Sequence, residues 1–133
     1  MVIYTTRDQY ELWFREEYLS LIQGKELTTA VRPGDRTYPN PKWVNKNEIV
    51  KVRIIKKPGN EEKGIEPEFH EFDTLAKIVD IDVKKIQDVT HTDLKNSSYD
   101  CLTKEDMKKH LQKIYLREFN DSDLVTLLKL NYI

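Results

Sequence analysis

Residues 25 to 57 concentrate the side chains best suited to hold a phosphate or a nucleobase. Lys25, Arg32, Arg36, Lys42, Lys46, Lys51, Arg53, Lys56 and Lys57 are set against only three acids, Glu26, Asp35 and Glu48, so the block carries +6. A surface of that sign attracts phosphate. Trp43 and the nearby Tyr38 supply aromatic faces on which a base can stack. Arg32 has the forked geometry to grip a phosphate or a base edge. Arg36, Lys42 and Trp43 extend the same track, and Thr29 adds a polar contact. Lys25 can meet a phosphate or a carbonyl, and desolvation would lower its pKa as a catalytic amine requires. Thr28 becomes a nucleophile if Lys25 or Asp100 takes its proton, and Asp100 serves as general acid or base if an apolar wall raises its pKa. Each residue also has a plainer role. Lys25 can complement a helix C-terminus, Thr28 can be a strand former, and Arg32 can pair with Asp35. Trp43 can cap a core, and Asp100 can cap the helix that follows it.

The rest of the chain carries −7, which brings the 133 residues to −1 overall. That total excludes a uniformly basic, histone-like binder and leaves room for one local basic cleft. Thirteen aromatics are enough to anchor a core, so a single folded domain over 1–133 is expected rather than disorder. No apolar run approaches the roughly 18 to 20 residues of a membrane span, and the first fifteen residues hold Arg7, Asp8, Glu11 and Arg15, unlike a secretory leader. The single cysteine, Cys101, offers neither a disulfide nor a zinc framework. A reduced, cytoplasmic setting is therefore expected. His70, His91 and His110 stand far apart, so no metal site is expected. Four glycines build no phosphate loop or dinucleotide motif, and no cofactor is expected.

The elements that must position these residues follow from periodicity. Tyr10, Trp13, Phe14, Tyr18, Leu21 and Ile22 fall at helical intervals and predict a helix over 6–23, started by Thr6 and Gln9 and closed by Gly24 in a left-handed conformation. Residues 27–32 are β-prone, and Pro33-Gly34-Asp35-Arg36 is a turn signal. Val50, Val52 and Ile54 predict one face of a strand over 48–57. The acidic segment 58–73 reads as a long mobile connection. Leu75, Val79, Ile81 and Val83 predict the face of a third strand over 74–83. Thr103 and Asp106 start a second helix carrying Met107, Leu111, Ile114 and Tyr115. Leu124–Ile133 reads as the closing strand. The order predicts an α+β domain, a small, mostly antiparallel barrel flanked by an N-terminal and a late helix.

The run Leu21-Ile22-Gln23-Gly24-Lys25-Glu26-Leu27-Thr28-Thr29-Ala30-Val31-Arg32, followed by Gly34-Asp35 and a strand, resembles the ASCH domain (activating signal cointegrator homology). The late helix after Cys101-Leu102-Thr103-Lys104-Glu105-Asp106 and the last strand sit where that family has them, so the resemblance covers nearly the whole chain. It implies a PUA-like β-barrel with a cleft, lined by the Lys and Arg of the motif, for RNA or a nucleotide base. Some small members deacetylate N4-acetylcytidine with a Lys, a Thr three residues later and a downstream acid. Lys25 and Thr28 match that spacing, and the acid position falls on Asp100. Those hydrolases carry Arg two residues after the Thr, where this chain has Ala30 and places the Arg at 32. The resemblance thus implies an RNA- or nucleotide-binding domain, with a hydrolase of a modified nucleoside as the alternative. An interaction domain using the 58–73 loop is a third reading.

Overall fold

A computed structural model describes residues 10–37, 39–40, 42–97 and 102–133. The elements run β1 (Glu11–Arg15), a 3-10 turn (Glu16–Tyr18), α1 (Leu19–Gln23), β2 (Thr29–Pro33), β3 (Ile49–Lys57), β4 (Glu68–Lys85), α2 (Lys104–Tyr115) and β5 (Leu124–Tyr132), with further 3-10 turns at Glu61–Lys63 and Ile86–Asp88. The five strands form one mixed sheet in the order β1-β3-β4-β5-β2. Only β1 and β3 are parallel; the other three pairings are antiparallel. The α+β class is as expected.

The predicted helix over 6–23 is corrected. Residues 11–15 are a strand paired with β3 in the register Trp13 to Arg53, and helix remains only over Leu19–Gln23. The burial has period two: Leu12 and Phe14 point into the core while Glu11, Trp13 and Arg15 do not. The apolar spacing was compatible with either period. The edge of β3 decides, because it supplies hydrogen-bond partners to a segment whose Trp13 and Phe14 are strand formers. Gly24 is also not the left-handed residue. It has φ −80°, and Lys25 takes φ +58° instead, a conformation uncommon for a side chain with a Cβ.

Strand β4 is longer than the predicted 74–83. It begins at Glu68, so the last six residues of the expected connection lie in the sheet, and Asn60 bridges to Ile65 within the part that remains. Its expected face is corrected as well. Ala76 and Ile78 are fully buried, whereas Leu75 and Val79 are exposed. The pairing with β5 shifts register between Ile78 and Asp80. A bulge there moves the inward side from even to odd residues, so Ile81 packs against the core.

Two apolar clusters result. One gathers Leu12, Phe14, Tyr18 and Ile22 with Val50, Val52, Ile54, Ala76, Ile78 and Leu128. The other packs Met107 and Leu111 of α2 on Ile86, Leu94, Phe119, Val125 and Leu127. Strand β5 separates them, so Val125, Thr126, Leu127 and Leu128 are all buried, on both faces. Helix α2 starts where expected, with the Thr103 hydroxyl accepting the Asp106 N–H at 3.1 Å, and ends at Leu116 with φ +54°.

Candidate functional site

The sheet does not close on itself. Its two edges, β1 and β2, meet at a seam bridged by a side chain rather than a backbone ladder. Arg32 of β2 donates from one terminal nitrogen to the Trp13 carbonyl of β1 at 2.7 Å and from the other to the Val31 carbonyl at 2.9 Å. Its guanidinium carbon lies 4.8 Å from the Phe14 ring centroid, within cation–π range.

A cavity of about 420 Å³ opens at this seam, bounded by β1, the end of β2, the loop after it and the last turns of α2. The volume is within the range of small-molecule sites, about 300 to 1,000 Å³. Tyr10, Trp13, Phe14, Tyr18 and Tyr115 give the wall its aromatic character, and Arg15, Arg32, Arg36, Lys42 and His110 supply cationic or titratable groups. Trp13 is 43% exposed and is braced edge-on by Phe69, with ring centroids 4.9 Å apart. The Tyr18 hydroxyl lies 3.3 Å from a ring nitrogen of His110. Glu11 is the one carboxylate among the described lining residues, and it is engaged: it accepts from Trp13 Nε1 at 3.0 Å and from Arg53 at 3.1 Å. The Trp13 hydrogen bond is the main cause holding Glu11 below the usual carboxylate range; burial opposes it and Arg53 adds to it. Arg15 is paired with Glu17 at 2.9 Å.

Arg36 is fixed by its backbone. Gly34, at φ +79°, turns the chain after β2. Thr126 of β5, itself fully buried, donates to the Gly34 carbonyl at 2.8 Å and accepts the Arg36 N–H at 2.9 Å. The Arg36 side chain is only 8% exposed, and its Nε donates to the Pro33 carbonyl at 3.0 Å. The neighbouring Asp35 carboxylate turns away, accepting the Thr37 N–H at 2.9 Å. Among the described residues no carboxylate stands within ion-pair distance of Arg36. Uncompensated buried charge costs several kcal/mol in typical proteins, roughly 3 to 5 when a partner is deleted.

Of the expected site residues, the cavity brings together Arg32, Arg36 and Lys42. Thr29 lines a smaller hollow of about 40 Å³ that shares Phe14, Tyr18, Arg32 and His110 with it. The Thr29 hydroxyl is committed to the fold: it donates to the Lys95 carbonyl at 2.7 Å and accepts from Lys129 Nζ at 2.9 Å. Lys25 is exposed, Thr28 and Trp43 are half-buried, and none of the three lines either space. Asp100 and Tyr38 lie outside the described residues, as does Cys101. Trp13 and Tyr18 are not expected here, because the aromatic stripe reads from sequence as a helix face; Tyr115 reads only as part of the second helix, and His110 only as an isolated histidine. Period two across 11–15 was the signal that would have placed Trp13 on the outer side. Among the described residues no group of three or more His, Cys, Asp and Glu could hold a metal, and no helix is long and apolar enough to cross a membrane.

No family model matches the chain, and no curated protein matches it. A solved structure does: protein EF3133 from Enterococcus faecalis V583, described under the family model DUF984. It superposes with a TM-score of 0.57 at 11% identity, covering 96% of this chain and 82% of that one. At that identity the likeness concerns the fold alone.

Proposed function

We propose that this is a nucleotide- or RNA-binding domain of the ASCH type, a PUA-like barrel left open at one seam, with the β1/β2 cavity as its binding site. The observation that carries this reading is the composition of one wall: five aromatic rings beside Arg32, Arg36 and Lys42, with its one described carboxylate already engaged by Trp13 and Arg53. A base needs a π-face, and a phosphate needs cationic donors. The resemblance of Gly24-Lys25 to Arg32 supports the same reading, since Arg32 lines the cavity. The hydrolase alternative needs Lys25 and Thr28 at the ligand, and neither lines the cavity, so binding without hydrolysis is preferred.

The test is fluorescence titration with short single-stranded RNA at low salt. Binding should quench Trp13 and weaken as salt rises. Lys42→Ala should weaken it by severalfold, and Trp13→Ala by about five- to a hundredfold, the range expected from stacking of about 1 to 3 kcal/mol. Affinity unchanged in both variants would remove the cavity as the site. Cytidine released from N4-acetylcytidine, and lost in Thr28→Ala, would replace binding with hydrolysis.

A further inference from the structure

We infer that Arg36 makes the cavity a receptor for a terminal phosphate, so that the ligand is a phosphorylated nucleoside rather than a bare nucleoside or an internal stretch of RNA; this rests on the nucleotide-binding reading above. Arg36 and Arg32 both line the cavity, but the fold uses them differently. Arg32 spends its terminal nitrogens on the Val31 and Trp13 carbonyls that hold the seam. Arg36 spends only Nε, on Pro33, while Thr126 and the Gly34 turn hold its backbone in place. Arg36 is more than nine-tenths buried as a residue, lines the cavity, and has no carboxylate within ion-pair distance among the described residues. A guanidinium in that state keeps its two terminal NH₂ groups for a planar, bidentate acceptor, and phosphate oxygens match that fork. A terminal phosphate carries close to two negative charges near neutral pH, against one for an internal phosphodiester, and exposes three oxygens.

The sources of such a phosphate are a free nucleotide and a 5′-phosphorylated RNA end, and the experiment separates them. The full chain is titrated calorimetrically with the four common ribonucleosides, their 5′-monophosphates, and a tetranucleotide with and without a 5′-phosphate. Monophosphates should bind at least about tenfold tighter than nucleosides, as hydrogen bonds to a charged partner allow. Inorganic phosphate should compete with them. A matching gain for the phosphorylated tetranucleotide would identify an RNA end as the ligand, and its absence a free nucleotide. In Arg36→Gln the ratio of monophosphate to nucleoside affinity should fall to near one. The wild-type ratio does not depend on how that variant folds. As a second readout on the wild type, the Arg36 side-chain ¹⁵N resonances should shift on phosphate addition. Equal affinity for nucleoside and monophosphate, or no Arg36 response, would overturn the phosphate inference and leave base binding standing. If none of these ligands binds, both readings fail.

Discussion

Two regions of the molecule withdraw a cation from solvent and treat it in opposite ways. On β4, the Lys84 side chain is 27% exposed and its ammonium lies 2.8 Å from the Asp93 carboxylate. Asp93 also accepts the Thr90 N–H at 2.9 Å, and the Thr90 hydroxyl accepts the Asp93 N–H at 3.2 Å. The Asp93 carbonyl takes Lys129 Nζ at 2.9 Å. Each donor there is answered from within the chain, and the product is a stapled loop. At the seam, Arg36 is more deeply buried, yet it is answered by a single carbonyl. A cation whose field is cancelled internally stabilises the fold; one left uncancelled beside a cavity stabilises whatever anion enters.

The contrast breaks most visibly at Asp93. Burial pushes its carboxyl up, but the Lys84 ammonium and the Thr90 donors outweigh that and hold it below the ordinary range. Lys84 is raised in turn, chiefly by its hydrogen bond to Asp93, against the effect of burial. Asp93→Ala leaves Lys84 without its main partner and frees Thr90, so urea unfolding at pH 7 should show a loss of about 2 kcal/mol, less than a fully buried pair would give. The sign with pH follows. A carboxyl depressed by folding stabilises above its unfolded value of about 3.9, and that contribution is lost as pH falls through the folded value. The gap between wild type and variant should therefore narrow on acidification below about pH 4. A gap that stays constant there would mean that the carboxylate's charge is not what the loop uses.

A smaller effect is expected at the seam. Arg32→Ala removes two hydrogen bonds from a charged donor and the contact with Phe14. Exposure to water offsets part of this, leaving a loss of about 1 to 2 kcal/mol. The distinguishing readout is hydrogen exchange. Residues 11–15 should open faster in the variant while β3, paired on both sides, keeps its protection. Equal acceleration in both strands would show that Arg32 supports the sheet as a whole and does not bridge two edges.

How far the sequence was legible depended on whether the deciding contact was local. Helix α2 could be read because its cap, Thr103 to Asp106, lies within four residues. Strand β3 could be read because Val50, Val52 and Ile54 alternate without interruption. The 11–15 segment could not, because its state is set by the edge of β3, some forty residues away. In β4 the bulge at Val79 reverses the inward face, and no residue type announces it. The site was legible in the same measure. The basic block and turn residues 33–36 pointed to Arg32, Arg36 and Lys42. Their convergence with Trp13, His110 and Tyr115 depends on the seam, which only the strand order β1-β3-β4-β5-β2 creates.

The smallest expected change is the most discriminating. Arg36→Met keeps a long side chain in the same space and deletes the charge. If Arg36 were a structural cation like Lys84, the substitution would strand a carboxylate and cost as much as Asp93→Ala. No described carboxylate is there to be stranded. The variant gives up the Nε bond to Pro33, worth about 1 kcal/mol, and is relieved of the desolvation of a guanidinium. The relief at least offsets the lost bond, so unliganded stability in urea unfolding should not fall by more than about 1 kcal/mol. A fixed concentration of 5′-monophosphate, in contrast, should raise the melting temperature of wild type more than the bare nucleoside does, and that of Arg36→Met no more than the nucleoside does, since a ligand stabilises the folded state in proportion to its affinity. A large loss of unliganded stability would place Arg36 with Lys84 among the cations that hold the fold together, and the difference between the two regions would disappear.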